Sequence, residues 1–523
     1  MNIKRIILSI LTVVSLLPVF LSLVTSITEP QVQANLELYL ANLTLHASEA
    51  KLDTIVQKKD DSSLEIDESL KYLLGEEPYV NAKTQYQEAK KLAEKNLDNL
   101  KDRLNNYKVQ VLPPESEKVG ELELLKQSVE REKQSINQIN INLGIIETQL
   151  GETKSALKIW NDVIEQSPSE GTPEDIIQTA KVLKGLWSEP PEVLPSSELI
   201  LKSQLKGWFR YQALEKLYQV QNRQDELSNL QQNEQEIARQ VLIKLALINA
   251  LPLLGGMIGF GILIFLLVQW LTQKKESLLG SVNNSSWQTP WDGETIWQVL
   301  VGFFFISQIA FPLIVLGLGL TPTQMSDISL LKKAIYVLVD YILIAASELL
   351  VLYFSVKSFF PLAKDWFRFQ WLSNWILWGI GGYLVALPLV FVVSLANQLF
   401  WQGQGGSNPL LFLALQAQDK LVLAIFFFTA SVAAPVFEEI IFRGFLLPSL
   451  TRYLPVWGAI AISSIVFAIA HLNLSEVLPL ATLGIVLGVV YTRSRNLLSS
   501  ILLHSLWNGG TLLSLFVLGS GAG

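Results

Sequence analysis

No cysteine occurs among the 523 residues, which excludes disulfides, a thiolate nucleophile and cysteine-held zinc together. The redox compartment stays open, because a cysteine-free chain suits either state. Histidine is nearly as scarce, with only His46, His471 and His504. Charge runs short in the second half: residues 277–523 hold ten Lys/Arg and ten Asp/Glu, so the net charge of −7 belongs to residues 1–276. That acidic half lacks the clustered Lys and Arg that phosphate binding needs, which argues against a nucleic-acid partner.

What the chain has in excess is apolar surface. Half its residues are hydrophobic and its mean hydropathy is +0.34, which suits a polytopic membrane protein carrying a soluble part. Lys4 and Arg5 precede an apolar run from Ile6 to Val24, long for a signal-peptide core and about the length of a span. Val32-Gln33-Ala34 is a conceivable cleavage site but lies far from the run, so residues 1–27 read as an uncleaved anchor.

Residues 28–242 read as a soluble helical domain, with Leu92, Leu97, Leu100 and Leu104 at helical spacing. Pro113-Pro114 and the prolines at 168, 173, 190, 191 and 195 divide it into bundles. Leu143-Gly144, Gly151, Ala156, Trp160 and Pro168 place small residues where two antiparallel helices approach, with Trp160 between them. This spacing resembles a tetratricopeptide repeat, with a degenerate second copy near Trp208, and a generic helical hairpin fits the same residues. The resemblance implies a surface for a protein or peptide partner.

Residues 243–285 read as a transmembrane helix and linker, and residues 286–523 as a membrane domain. Apolar runs fall at 248–271, 296–320, 334–355, 371–396, 421–447, 455–472, 477–492 and 497–518. They are continuous rather than alternating, which argues against strand-based spanning. With the anchor they make nine spans, so the expected fold is an all-α polytopic membrane protein with an N-terminal extramembrane helical domain. Trp270, Trp297, Trp371, Trp375, Trp401 and Trp457 stand at or near run ends, as interface anchors do. If Lys4 and Arg5 lie inside, so do the loops carrying Lys274 and Lys275; Lys357, Lys364 and Arg368; Arg452; and Arg493 and Arg495. The other loops hold Lys332, Lys333 and Lys420, and that bias puts the N-terminus in the cytoplasm and residues 25–242 outside.

Charges inside spans are expensive and mark functional positions. Glu439 and Arg443 are four apart, stacked on one helical face where they can pair. Glu438 points elsewhere and lacks an obvious partner. Two adjacent carboxylates in low dielectric cannot both ionise cheaply, which prepares one of them as a general base. His471 follows Phe467 by one turn on one span, and Asn508 follows His504 by one turn on another. These groups converge only if three helices pack together. The bland alternative is a set of polar links between helices. Asp340 and Glu348, two turns apart on an earlier span, would line the same cavity or merely bond between helices.

Glu438-Glu439-x-x-x-Arg443, Phe467-x-x-x-His471 and His504-x-x-x-Asn508 together resemble the three motifs of the CPBP family, which contains the type II CAAX prenyl endopeptidases and the bacterial Abi proteins. The resemblance covers about residues 290–515. It implies an intramembrane endopeptidase with Glu438 as the base that activates water and His471 helping to hold that water. His504 and Asn508 would face the oxyanion, and Glu439 with Arg443 would support Glu438. Two readings of metal stay open. Glu438, His471 and His504 could make a three-ligand zinc site, or Glu438 and His471 could activate water unaided. The implied substrate is a membrane-associated protein or peptide. Trp287, Trp291 and Trp297 look like cyanobacterial members, so the expected location is a prokaryotic plasma membrane or a thylakoid. The alternatives are a non-catalytic membrane scaffold or immunity-type protein, and a solute carrier, which the lack of visible internal repeats disfavours.

Overall fold

A computed structural model describes residues 3–27, 29, 31, 33–50, 74–110, 116–166, 173–284, 286–318, 328–408, 410, 413–414, 417 and 419–519. It is 83% helical, with no strand among the described residues. The chain forms two units, residues 33–249 and residues 1–32 with 250–520.

The first helix, α1 (Ile3–Ser26), belongs to the membrane unit. The N-terminal unit follows, with α2 (Gln33–Ser48), α3 (Pro78–Gln110), α4 (Ser116–Gln149), α5 (Thr153–Ile164), α6 (Glu174–Trp187), α7 (Ser197–Gln204) and α8 (Gly207–Val220). It closes with the part of α9 (Gln224–Gln273) up to Asn249. Its core includes Leu45, Ile145, Trp160, Leu183, Trp208 and Leu217. Helices α4 and α5 form a hairpin with Trp160 wholly buried between them. A Cβ on Gly144 would lie 2.4 Å from Trp160 Nε1, and that nitrogen donates to Ile141 O at 3.2 Å. Gly151, at φ +78°, makes the turn that a side chain would strain. The expected close approach around Trp160 is therefore present, while Pro168 lies outside the described residues. Trp208 is buried as well, its indole donating to Glu49 Oε1 at 2.8 Å. His46 serves this core, with Nδ1 at 2.5 Å from Glu234 Oε1 and both side chains about 3% exposed.

The membrane unit continues with the apolar half of α9, then α10 (Gly293–Gly317), α11 (Leu330–Phe359, its last turn a 3₁₀ turn) and α12 (Trp375–Trp401). It ends with α13 (Lys420–Leu450), α14 (Val456–Ile469), α15 (Leu474–Ser494) and α16 (Leu497–Gly519). Each of the nine apolar runs becomes a helix. Seven of them are long and apolar enough to cross a membrane among the described residues. Helix α14 falls short, since it has 14 residues and reaches about 21 Å, less than a hydrocarbon core of about 30 Å. Helix α16 has 23 residues, with His504, Asn508, Gly509 and Gly510 in its middle.

Loops at the two ends of this unit sort into the two sets expected from charge. At one end Lys4 and Arg5 pair with Glu294 at 3.1 and 2.8 Å, Arg452 donates to Trp291 O, and Arg495 meets Asp365 at 3.4 Å. At the other, Gln31 N donates to Gly403 O at 2.8 Å, Gly405 N to Glu29 O at 3.0 Å, and Leu474 N to Ser26 Oγ at 3.2 Å. The N-terminal helix is packed in place, with Trp297 Nε1 donating to Thr12 Oγ1 at 2.8 Å. Close approach also joins α9 to α12, where a Cβ on Gly259 would fall 1.8 Å from Leu384 O.

Three prolines shape the membrane helices. Residues 306–310, 429–433 and 440–446 are π-helical, and Pro312, Pro435 and Pro448 follow each segment by two residues. Proline has no N–H and collides with the carbonyl four residues back, so the wider π turn relieves the clash without ending the helix. Glu438 and Glu439 close the short regular segment Ala434–Glu439 between two such turns.

Candidate active site

The motif residues meet where α13, α14 and α16 pack. Glu439 and Arg443 are both fully buried, with Arg443 Nη1 donating to Glu439 Oε1 at 2.7 Å. Arg443 Nη2 donates to Gly484 O at 3.3 Å, and its guanidinium stacks over Phe467 at 4.4 Å. A buried charge is tolerated only with such partners. The same Glu439 oxygen lies 3.0 Å from His504 Nδ1, which ties α16 to α13.

Glu438 is placed differently. Its side chain is 20% exposed, and Oε2 lies 3.9 Å from His504 Nε2. That oxygen is buried and unpartnered. On its other side, Tyr341 of α11 donates its hydroxyl to Glu438 Oε1 at 3.4 Å. The adjacent glutamates thus have different surroundings. Glu439 is held through one oxygen by a cation and an imidazole, whereas Glu438 is partly exposed and pairs with no cation within hydrogen-bond distance.

Phe467 contacts both histidines, its ring centroid lying 5.6 Å from that of His504 and 4.9 Å from that of His471. His471 sits just beyond the C-terminal end of α14, with Nδ1 at 2.9 Å from Phe467 O, and interacts with Glu476 at the start of α15. The brevity of α14 puts it there. Asn508 donates Nδ2 to Ala430 O at 2.8 Å, inside the first π segment of α13. The structure therefore gathers Glu438, Glu439, Arg443 and His504, sets Asn508 one turn beyond His504 on α16, and places His471 against Phe467 at the end of α14.

The donor set does not suit zinc as it stands. Among the described residues no three His, Asp or Glu side chains come together in metal-holding geometry. Glu438, His471 and His504 therefore do not fit the three-ligand site, and no step below passes through a metal.

Of the two flagged carboxyls on α11, Asp340 bonds Tyr336 on its own helix. Glu348 is 8% exposed and lies within electrostatic reach of Glu438. Tyr341 escaped the motif reading because it belongs to no charged spacing. Its position seven residues before Glu348, on the same face of one helix, was the available signal.

Helices, buried ion pair and carboxylate together describe a polytopic helical membrane protein with a polar site inside its helix bundle. Residues 420–510, which contain all six motif residues, match the Rce1-like family, described as type II CAAX prenyl endopeptidase Rce1-like. That stretch is similar to the family's domain, and the N-terminal unit lies outside the match. The membrane-embedded CAAX protease MroQ of Staphylococcus aureus (strain USA300) is 27% identical over 192 residues, 36% of this chain and 76% of MroQ. The "Putative membrane peptidase YdiL" of Bacillus subtilis (strain 168) is 28% identical over 135 residues, 25% of this chain and 53% of YdiL. No solved structure matches the chain significantly.

Proposed function

We propose that the protein is an intramembrane endopeptidase in which Glu438 activates a water without forming a covalent intermediate. The supporting observation is the gap of 3.9 Å between Glu438 Oε2 and His504 Nε2. That distance is too long for a direct hydrogen bond, and one water can touch both atoms. The water gives a proton to Glu438, and its oxygen adds to the carbonyl carbon of the peptide bond. The C–N bond then breaks, and the leaving amine takes the proton from Glu438. His504 presents Nε2 as a donor to the oxyanion, with its ring held at Nδ1 by Glu439. Asn508 has a second amide N–H for the same oxyanion, and His471 serves at the rim in holding water or substrate.

The substrate is a membrane-associated protein or peptide, and the N-terminal helical unit recruits it or a partner. Membranes of cells producing the wild-type protein and the Glu438→Gln variant supply the test by comparison of their peptides. Peptides lost only in the variant identify the substrate. Identical peptide sets from the two would count against peptidase activity.

A further inference from the structure

Pro435 lies in α13 between the π segment 429–433 and Glu438. At the end of that segment Ala434 N–H donates to Thr429 O, five residues back rather than four. The next donor in this register is residue 435, and its acceptor is Ala430 O. Proline has no N–H, so Ala430 O receives nothing from that position. A carbonyl left without a donor is costly inside an apolar bundle. Helix α16 supplies one, with Asn508 Nδ2 donating to Ala430 O at 2.8 Å. The two helices approach closely there, since a Cβ on Gly509 would lie 3.5 Å from the Phe427 ring and 3.6 Å from Ser431 Oγ.

The other π segments share the register, with Phe311 N–H donating to Ile306 O and Leu447 N–H to Phe442 O. Pro312 and Pro448 follow them and withhold a donor from Ser307 O and Arg443 O in the same way. Of the three carbonyls, Ala430 O is the one that a motif side chain meets. That bond also orients the amide. The two N–H bonds of a carboxamide are coplanar at a fixed angle, so seating one sets the direction of the other. Asn508 shares its face of α16 with His504, one turn earlier.

We propose that Pro435 is the positioning residue for Asn508. By withholding a backbone donor, it makes Ala430 O a fixed seat for the amide, whose second N–H is thereby aimed at the oxyanion. Pro435 acts through Asn508 and does not touch the peptide bond. The aim of that second N–H rests on the peptidase reading, whereas the seat itself can be tested without a substrate.

A double-mutant cycle on the full chain in detergent tests the seat. Asn508→Leu keeps the volume but has no donor, and should lower the denaturation midpoint by roughly 2–4 °C because Ala430 O is stranded. Pro435→Ala returns an N–H to the helix and should fold, and in that background Asn508→Leu should cost less than half as much. Pro448→Ala, at the other segment, should leave the cost of Asn508→Leu unchanged. Turnover of a peptide found by the membrane comparison above then reads the aim. Pro435→Ala should lower kcat about tenfold with KM unchanged, and adding Asn508→Leu should lower it little further. An Asn508→Leu midpoint equal to wild type, an equal cost in both backgrounds, or a Pro435→Ala protein that does not fold would overturn the assignment. If the cycle is additive while Glu438→Gln still abolishes cleavage, the seat falls and the peptidase stands. If the cycle holds while Glu438→Gln cleaves normally, the peptidase falls and the seat stands as architecture.

Discussion

Arg443 is the residue most exposed to error by mutation, because its charge is wholly buried and its only ion-pair partner among the described residues is Glu439. Glu439→Gln removes that partner while leaving the guanidinium in place. The expected loss is about 3–5 kcal/mol, the range for breaking a buried pair from one side, read as a lower denaturation midpoint in detergent. A midpoint equal to wild type would show that Arg443 is held by Gly484 O and Phe467 alone. The EExxxR spacing made this pair legible, since four residues separate stacked positions on any helix. Counting along its apolar run already puts His471 near the end of its span, as found, whereas the way Phe467 packs beside it is decided by neighbouring helices. Tyr341 was invisible for a related reason, as a tyrosine in an apolar run resembles core until its partner is known. Chelation also belongs at this scale. Treatment with a strong zinc chelator should leave turnover unchanged, and a loss restored by added zinc would contradict the metal-free site.

At the scale of elements, the apolar runs located the membrane helices to within a few residues because hydrophobic length alone decides them. The π segments were not read. They follow from three prolines that have to be accommodated without a helix break, and their presence beside Glu438 sets the direction of that side chain. In the N-terminal unit, Gly144 and Trp160 were legible as a close contact, and the prediction is direct. Gly144→Ala places a methyl against the indole and should destabilise the unit by about 1–3 kcal/mol through overpacking, measured by thermal melting. A gain in stability would mean that the hairpin opens at little cost. The same unit carries an acid-sensitive cluster. Arg223 and Lys202, bonded to Glu198, hold its carboxyl down at about 2, from 4.5. A depressed carboxyl contributes stability above its unfolded value and loses it as pH falls from about 4.5 towards 2. Glu198→Gln should therefore flatten the pH dependence of melting across that window, and an unchanged slope would assign acid sensitivity elsewhere.

For the whole molecule, the division at residues 33–249 leads to the expectation that residues 35–240 expressed alone stay soluble without detergent and melt cooperatively. An aggregating product would show that this unit depends on the membrane. The two loop clusters of the membrane unit set a second expectation. In a chain with no native cysteine, single cysteines replacing Gln273 and Ser407 should label from opposite sides of the membrane, and same-side labelling would redraw the topology. The central claim is that Glu438 is the general base of a membrane-embedded peptidase. The measurement that reaches it most directly is turnover by the full chain in vesicles, wild type against Glu438→Gln, on a peptide found to depend on the protein. The substitution keeps shape and hydrogen bonding but cannot take a proton, so turnover should fall by at least about 10²-fold while folding is retained. A folded Glu438→Gln protein that cleaves at the wild-type rate would contradict the mechanism and leave a membrane scaffold as the better description.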